Sequence, residues 1–333
     1  MRVIAIVLCC LFGGLVPAMA GSCPGNPNAI GTSRTITVDP ATLPQIGSMQ
    51  YRTTLPLNDH EVVITFDDGP LPPYTYNILD TLAAECVKVT YFLVGRQANA
   101  YPEAVRRIYN AGHSVGTHSQ NHPLTFNQMA LPRIDSEVGT GIASVQTALG
   151  DPRAIAPFFR IPGLLHTSQV ENYLAAHSLA VWSADEVADD WHRGIGPQQI
   201  VRKAISRIEA KNHRGVLLLH DIHPATAMAL PILLRELKAK GYRIVQAVPA
   251  GERPKSVPEN VDPAMANASG WPRMVMTGGH KGQRPVRVAA VHHRHVAAHR
   301  VRERNADITA SIATKKTKTK TAESGAGWML FRR

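Results

Sequence analysis

From residue 59 onward, short apolar runs alternate with amphipathic stretches. The runs at 61–66, 88–93, 113–116, 155–160, 179–183, 215–219 and 242–246 read as strands of the buried type, apolar on both faces. The stretches 74–85, 102–111, 136–149, 168–177, 197–211 and 225–240 read as helices between them. This alternation predicts an α/β domain in which helices cover a parallel sheet. Six or seven strand–helix units suit a closed or nearly closed barrel, and a doubly wound sheet gives much the same pattern. In a barrel, chemistry sits at the C-terminal ends of the strands. Asp67 and Asp68, the segment after 113–116, Arg160, Asp185 and His220 all fall at such ends.

The pattern is different on both flanks. Residues 1–20 carry Arg2, a mostly apolar run from Val3 to Val16 and the small-x-small triplet Ala18-Met19-Ala20. They read as a secretory signal peptide cleaved near Ala20, so the chain is expected to be exported to a periplasmic or extracellular location. Residues 21–58 are rich in Pro, Gly, Ser and Thr and read as an extended lead-in. The catalytic domain is expected over 59–250. Beyond 250 the periodicity fades, and residues 251–333 hold 16 Lys/Arg against 6 Asp/Glu, whereas 1–250 hold 20 against 19. The net charge of +11 therefore belongs to a basic, low-complexity tail. Such a tail suits an anionic cell-envelope polymer; export argues against nucleic acid. Of the four cysteines, Cys9 and Cys10 lie in the leader. Cys23 and Cys86 remain, and two cysteines leave their pairing open.

The candidate chemistry begins at Thr65-Phe66-Asp67-Asp68-Gly69-Pro70, where two carboxylates end an apolar strand. His118 and His122 are four apart, a spacing that puts both imidazoles on one side of a turn. Two His and one carboxylate with an open position form the catalytic zinc pattern. Either aspartate can be the ligand, which leaves the other as a base. His220, ending Leu217-Leu218-Leu219, can protonate a leaving amine. Arg160, after Pro157-Phe158-Phe159, can orient a carboxylate or form a structural ion pair.

Taken in order, Thr65 to Pro70, His118 to His122, Arg160-Ile161-Pro162-Gly163, Asp189-Asp190-Trp191 and Leu218-Leu219-His220 resemble the five motifs of the polysaccharide deacetylases, the carbohydrate esterase family 4 or nodulation-protein-B-like domains, which include chitooligosaccharide deacetylases. The resemblance covers about 58–248. It implies a distorted (β/α) barrel of about seven strands. It also implies metal-dependent removal of N-acetyl groups from an amino-sugar glycan of the chitin-oligosaccharide or peptidoglycan type, with release of acetate. By the same resemblance Asp67 is the general base. Asp68, His118 and His122 bind a divalent metal, usually zinc (Zn2+), and His220 is the general acid. Asp190 orients His220, Arg160 positions Asp67, the amide near Gly163 joins the oxyanion site, and Trp191 and Leu218 line the groove. Two departures stand out. Gly163 replaces the aromatic residue usual there, and the stretched fourth motif leaves Asp185, Asp189 and Asp190 all eligible to orient His220. An O-acetyl glycan esterase, another amide hydrolase, or a non-catalytic glycan-binding barrel is the alternative on the same fold.

Overall fold

The computed structural model describes residues 23–259. The leader and the tail from 260 onward lie outside the described residues. The strands are β1 (Thr32–Val38), β2 (Gln45–Ile46), β3 (Glu61–Asp67), β4 (Thr90–Leu93), β5 (Ser114–Thr117), β6 (Phe158–Arg160), β7 (Ala180–Trp182), β8 (Glu186–Val187), β9 (Gly215–His220) and β10 (Arg243–Pro249). The helices are α1 (Tyr74–Ala84), α2 (Gly95–Ala100), α3 (Pro102–Asn110), α4 (Leu131–Leu149), α5 (Ser168–Ala176), α6 (Pro197–Ala210) and α7 (Pro224–Ala239). Proline occupies the first turn of α3, α4, α6 and α7, where a missing N–H costs nothing.

Every strand pairing is parallel. The order β9-β3-β4-β5-β6-β7 carries six of the seven expected strands, and the seventh, β10, lies on β3; β8, which was not expected, pairs with β9, and among the described residues no ladder joins β7 to β8. The sheet is thus open along one seam. Asp185 bridges that seam: its carboxylate accepts from Ser48 N, Thr54 Oγ1 and Val216 N at 2.7–2.8 Å.

The segment 21–58, expected as an extended lead-in, instead supplies two strands of the sheet. β1 lies on β10, and β2 lies on β7. Neither announced itself, because a short strand at a sheet edge needs few apolar residues; Ile36, Val38 and Ile46 are the ones buried. A disulfide between Cys23 and Cys86 ties this segment to the end of α1. At the other end the packed chain passes residue 250. Val257 is buried, and it exchanges hydrogen bonds with Asn110 through its N–H and its carbonyl.

The central strand β3 is buried along its whole length. Val62, Ile64 and Phe66 pack outward against helix residues such as Ile78, Leu82, Ile200 and Leu230. Val63 packs inward with Phe92, Phe158, Trp182, Val216 and Val245. The two-residue period of a strand then turns Thr65 and Asp67 inward at the C-terminal mouth. The same parity applies on β9, where Val216 is inward, Leu217 and Leu219 are outward, and His220 is inward again.

Candidate active site

Four strand ends meet at this mouth. Asp67 pairs in register with His220 across β3 and β9. Arg160 ends β6, and His118 follows the last residue of β5. Arg160 is fully buried; its Nη1 donates to Asp67 Oδ1 at 2.6 Å and to Thr65 Oγ1 at 2.8 Å, and its Nη2 donates to Ser183 O at 2.8 Å. The guanidinium also lies over the Phe92 ring, 4.2 Å from its centroid. Asp67, itself buried, is therefore fixed in orientation against a buried guanidinium.

Asp68, His118 and His122 bring one ligand atom each within 4.8 Å of one another. Asp68 Oδ1 stands 3.3 Å from His122 Nε2 and 3.6 Å from His118 Nε2, is buried, and has no hydrogen-bond partner among the described residues. A buried carboxylate oxygen facing two imidazole nitrogens is costly unless something cationic joins them. His118 Nδ1 lies 2.6 Å from the carbonyl of Arg160, which can only accept, so the ring proton sits on Nδ1 and Nε2 is left as a lone-pair donor. Burial lowers the His118 pKa to about 4, so the ring is neutral at physiological pH, as a ligand must be. Two His and one carboxylate fit a divalent cation of the zinc type. Asp68, Ser119 and His122 all hold φ between 55° and 76°, left-handed backbone that is unfavourable for residues other than glycine. Gly69 is required next to Asp68 because a Cβ there would collide with the Asp221 carboxylate.

His220 ends β9 on the opposite side. Its Nδ1 is 2.8 Å from Asp190 Oδ1, its N–H donates to Asp190 Oδ2 at 2.7 Å, and Thr226 Oγ1 on α7 donates to the same oxygen at 2.6 Å. Burial works against a charged His220, but Asp190, followed by Asp68 and Asp67, outweighs it and raises the pKa to about 10. A cation beside Asp68 would cancel part of that field.

Of the three aspartates eligible to orient His220, only Asp190 touches it. Asp189 pairs with Lys203 and Arg207, and Asp185 is spent on the seam. The Trp191 ring lies edge-on to His220, with centroids 5.5 Å apart. Leu218 is buried between Thr65 on β3 and Val187 on β8. Gly163 sits in a 3-10 turn with φ 59°, and its amide takes no part in the turn's own hydrogen bonds. The space a side chain at 163 would fill is flanked by Leu124 and Leu165.

Residues 55–182 match the family model described as polysaccharide deacetylase. The chitooligosaccharide deacetylase of Bradyrhizobium sp. (strain ANU 289) is 31% identical over 199 residues, which span 55% of this chain and 87% of that protein. The chain belongs to the polysaccharide deacetylase family. The peptidoglycan-N-acetylglucosamine deacetylase PgdA of Listeria monocytogenes is 34% identical over 186 residues; the match spans 55% of this chain but only 37% of the Listeria protein. Among solved structures, a peptidoglycan deacetylase of Bdellovibrio bacteriovorus superposes with a TM-score of 0.59 at 28% identity, covering 67% of this chain and 61% of that one.

As a polysaccharide deacetylase domain, the chain adds residues to the site that its motifs did not announce. Ser183 and Thr226 hold Arg160 and Asp190, and Thr65, already inside the first motif, holds Arg160 as well. His223 stands beside His220, with ring centroids 5.8 Å apart. Hydroxyls and backbone carbonyls carry no spacing signal of their own. His223 did have one available, as a second histidine three residues beyond the strand-end His220.

Proposed function

We propose that this protein removes acetyl groups from the N-acetylated amino sugars of a chitin-oligosaccharide or peptidoglycan type glycan. The reading is carried by one observation: the Asp68, His118 and His122 cluster lies between an Arg-held carboxylate, Asp67, and a carboxylate-held imidazole, His220. A divalent cation, zinc in our reading, held by Asp68, His118 and His122 would act as a Lewis acid on the acetamide carbonyl and make water more acidic. Asp67 takes the proton of the attacking water, and Arg160 holds the Asp67 carboxylate in place for it. His220 passes its Nε2 proton to the departing amine while Asp190 stabilises the imidazolium and holds the tautomer. The products are acetate and a free amino sugar. The Gly163 amide supports the oxyanion, and Trp191 and Leu218 bound the acetyl pocket.

The test is acetate release from β-1,4-linked N-acetylglucosamine oligomers and from peptidoglycan, with and without a chelator, in wild type and Asp67→Asn. Loss of release in both the chelated and the mutant protein supports the reading. Metal uptake with no acetate release from any N-acetyl glycan would overturn it, and release from O-acetylated xylan alone would reassign it to an esterase.

The leader pattern and the Cys23–Cys86 bridge support an exported protein, since such bridges persist in oxidising compartments. The basic tail is proposed to hold the enzyme on an anionic envelope polymer. Removing 260–333 is expected to reduce turnover of the polymer at low salt and to spare soluble oligomers.

A further inference from the structure

His223 is the N-cap residue of α7, yet its side chain makes no capping hydrogen bond. Only its backbone serves the helix, through its carbonyl to Ala227 N at 3.2 Å. Among the described residues neither ring nitrogen has a hydrogen-bond partner, and the ring is half-buried. It meets the His220 ring at 67° with centroids 5.8 Å apart, and it feels the charges of Asp190, His220 and Asp68. It therefore stands within the site without bonding to any member of it.

Helix stability favours a different residue here. Ser, Thr, Asp or Asn at an N-cap satisfies a free N–H of the first turn, and histidine leaves it open. A polar ring that neither caps, nor pairs, nor is fully buried has no structural task that this environment records. It is placed to meet a ligand.

We propose that His223 is a substrate-contacting specificity residue that hydrogen-bonds a hydroxyl of the amino-sugar ring. The proposal rests on the deacetylase reading above. A neutral imidazole has one donor and one acceptor, which matches a hydroxyl that both accepts and donates. Burial acts to keep this ring neutral. On this account the fold forgoes a helix cap in order to hold the sugar beside the proton donor.

The experiment compares wild type, His223→Ser and His223→Gln on a β-1,4-linked N-acetylglucosamine oligomer and on 4-nitrophenyl acetate, which has no sugar hydroxyl. His223→Ser is expected to raise KM for the oligomer about 3–10-fold, the worth of one hydrogen bond, with kcat kept within about 2-fold. His223→Gln, which retains a donor and an acceptor, recovers part of that loss. The oligomer-to-ester ratio of kcat/KM falls in His223→Ser. The same variant melts about 2–4 °C higher, because serine caps α7. An unchanged oligomer KM in His223→Ser overturns the proposal. So does a large loss of kcat at constant KM, which would make His223 a proton donor instead. A wild type that releases no acetate from any glycan would overturn the deacetylase reading itself, an outcome distinguishable from these.

Discussion

The Nδ1–H of His118 donates to the main-chain carbonyl of Arg160 at 2.6 Å. The side chain of Arg160 binds Asp67 at the same distance. One residue at the end of β6 therefore sets both the tautomer of His118 and the orientation of Asp67, the proposed base. Its backbone does the first and its side chain the second.

That dual role separates two substitutions. Arg160→Met removes the guanidinium bonded to buried Asp67, and is expected to cost about 3–5 kcal/mol of stability along with all activity. Arg160→Lys keeps a charge but cannot reach Thr65, Asp67 and Ser183 together. It is expected to fold with a smaller loss, to keep its metal through the intact carbonyl, and to lose most of kcat. Urea unfolding, metal content and acetate release check the three parts.

Metal removal should be visible without any turnover. Stripped protein is expected to melt at a lower temperature. Adding back zinc at about 100 times its Kd should stabilise by roughly 2.7 kcal/mol, a rise of about 5–10 °C. Asp68→Asn should erase the rise. Differential scanning fluorimetry with zinc, cobalt and magnesium also ranks the metals.

Asp190 and Thr226 act on the proton donor through geometry and field. Asp190→Asn removes the largest of the charges that oppose burial, so the His220 pKa falls. The donor must be protonated, so the alkaline limb of the kcat profile moves to lower pH, and kcat drops about 10²-fold or more. Thr226→Val takes away one charge-assisted bond and should cost about 10-fold, with Thr226→Ser restoring it. Acetate release measured across the pH range tests both.

Glu186 on β8 gives a stability prediction away from the chemistry. It is buried, neither carboxylate oxygen has a hydrogen-bond partner among the described residues, and burial with the neighbouring Asp185 charge raises its pKa to about 9 from an ordinary 4.5. Between those values the unfolded chain has lost a proton that the folded chain keeps, so this residue makes stability fall as pH rises. Glu186→Gln removes that slope. It should melt above wild type at pH 8 and approach it toward pH 5. An unchanged pH dependence would mean that Glu186 is ionised in the fold.

Much of this was legible from the chain because the strands are buried on both faces. Their apolar runs stand out, and a parallel sheet puts their C-terminal ends on one side. That alone gathered Asp67, Arg160 and His220. The edge strands β1 and β2 and the two-residue β8 were not legible. They are held by backbone bonds to neighbours supplied from far along the chain, and such bonds leave no trace in the pattern of side chains.

The sequence by itself determined the order of the seven apolar strands and of six of the seven helices, the His-x-x-x-His pair, the Asp-Asp strand end and the family to which they belong. These are local features, set by periodicity and spacing. Tertiary structure decided where each aspartate lies. Strand parity turned Asp67 inward to Arg160, and left-handed backbone at Asp68 swung the next carboxylate toward His118 and His122. It also chose Asp190 over Asp185 and Asp189, because only packing across the seam, onto α6 and against α7 shows which carboxylates are already spent.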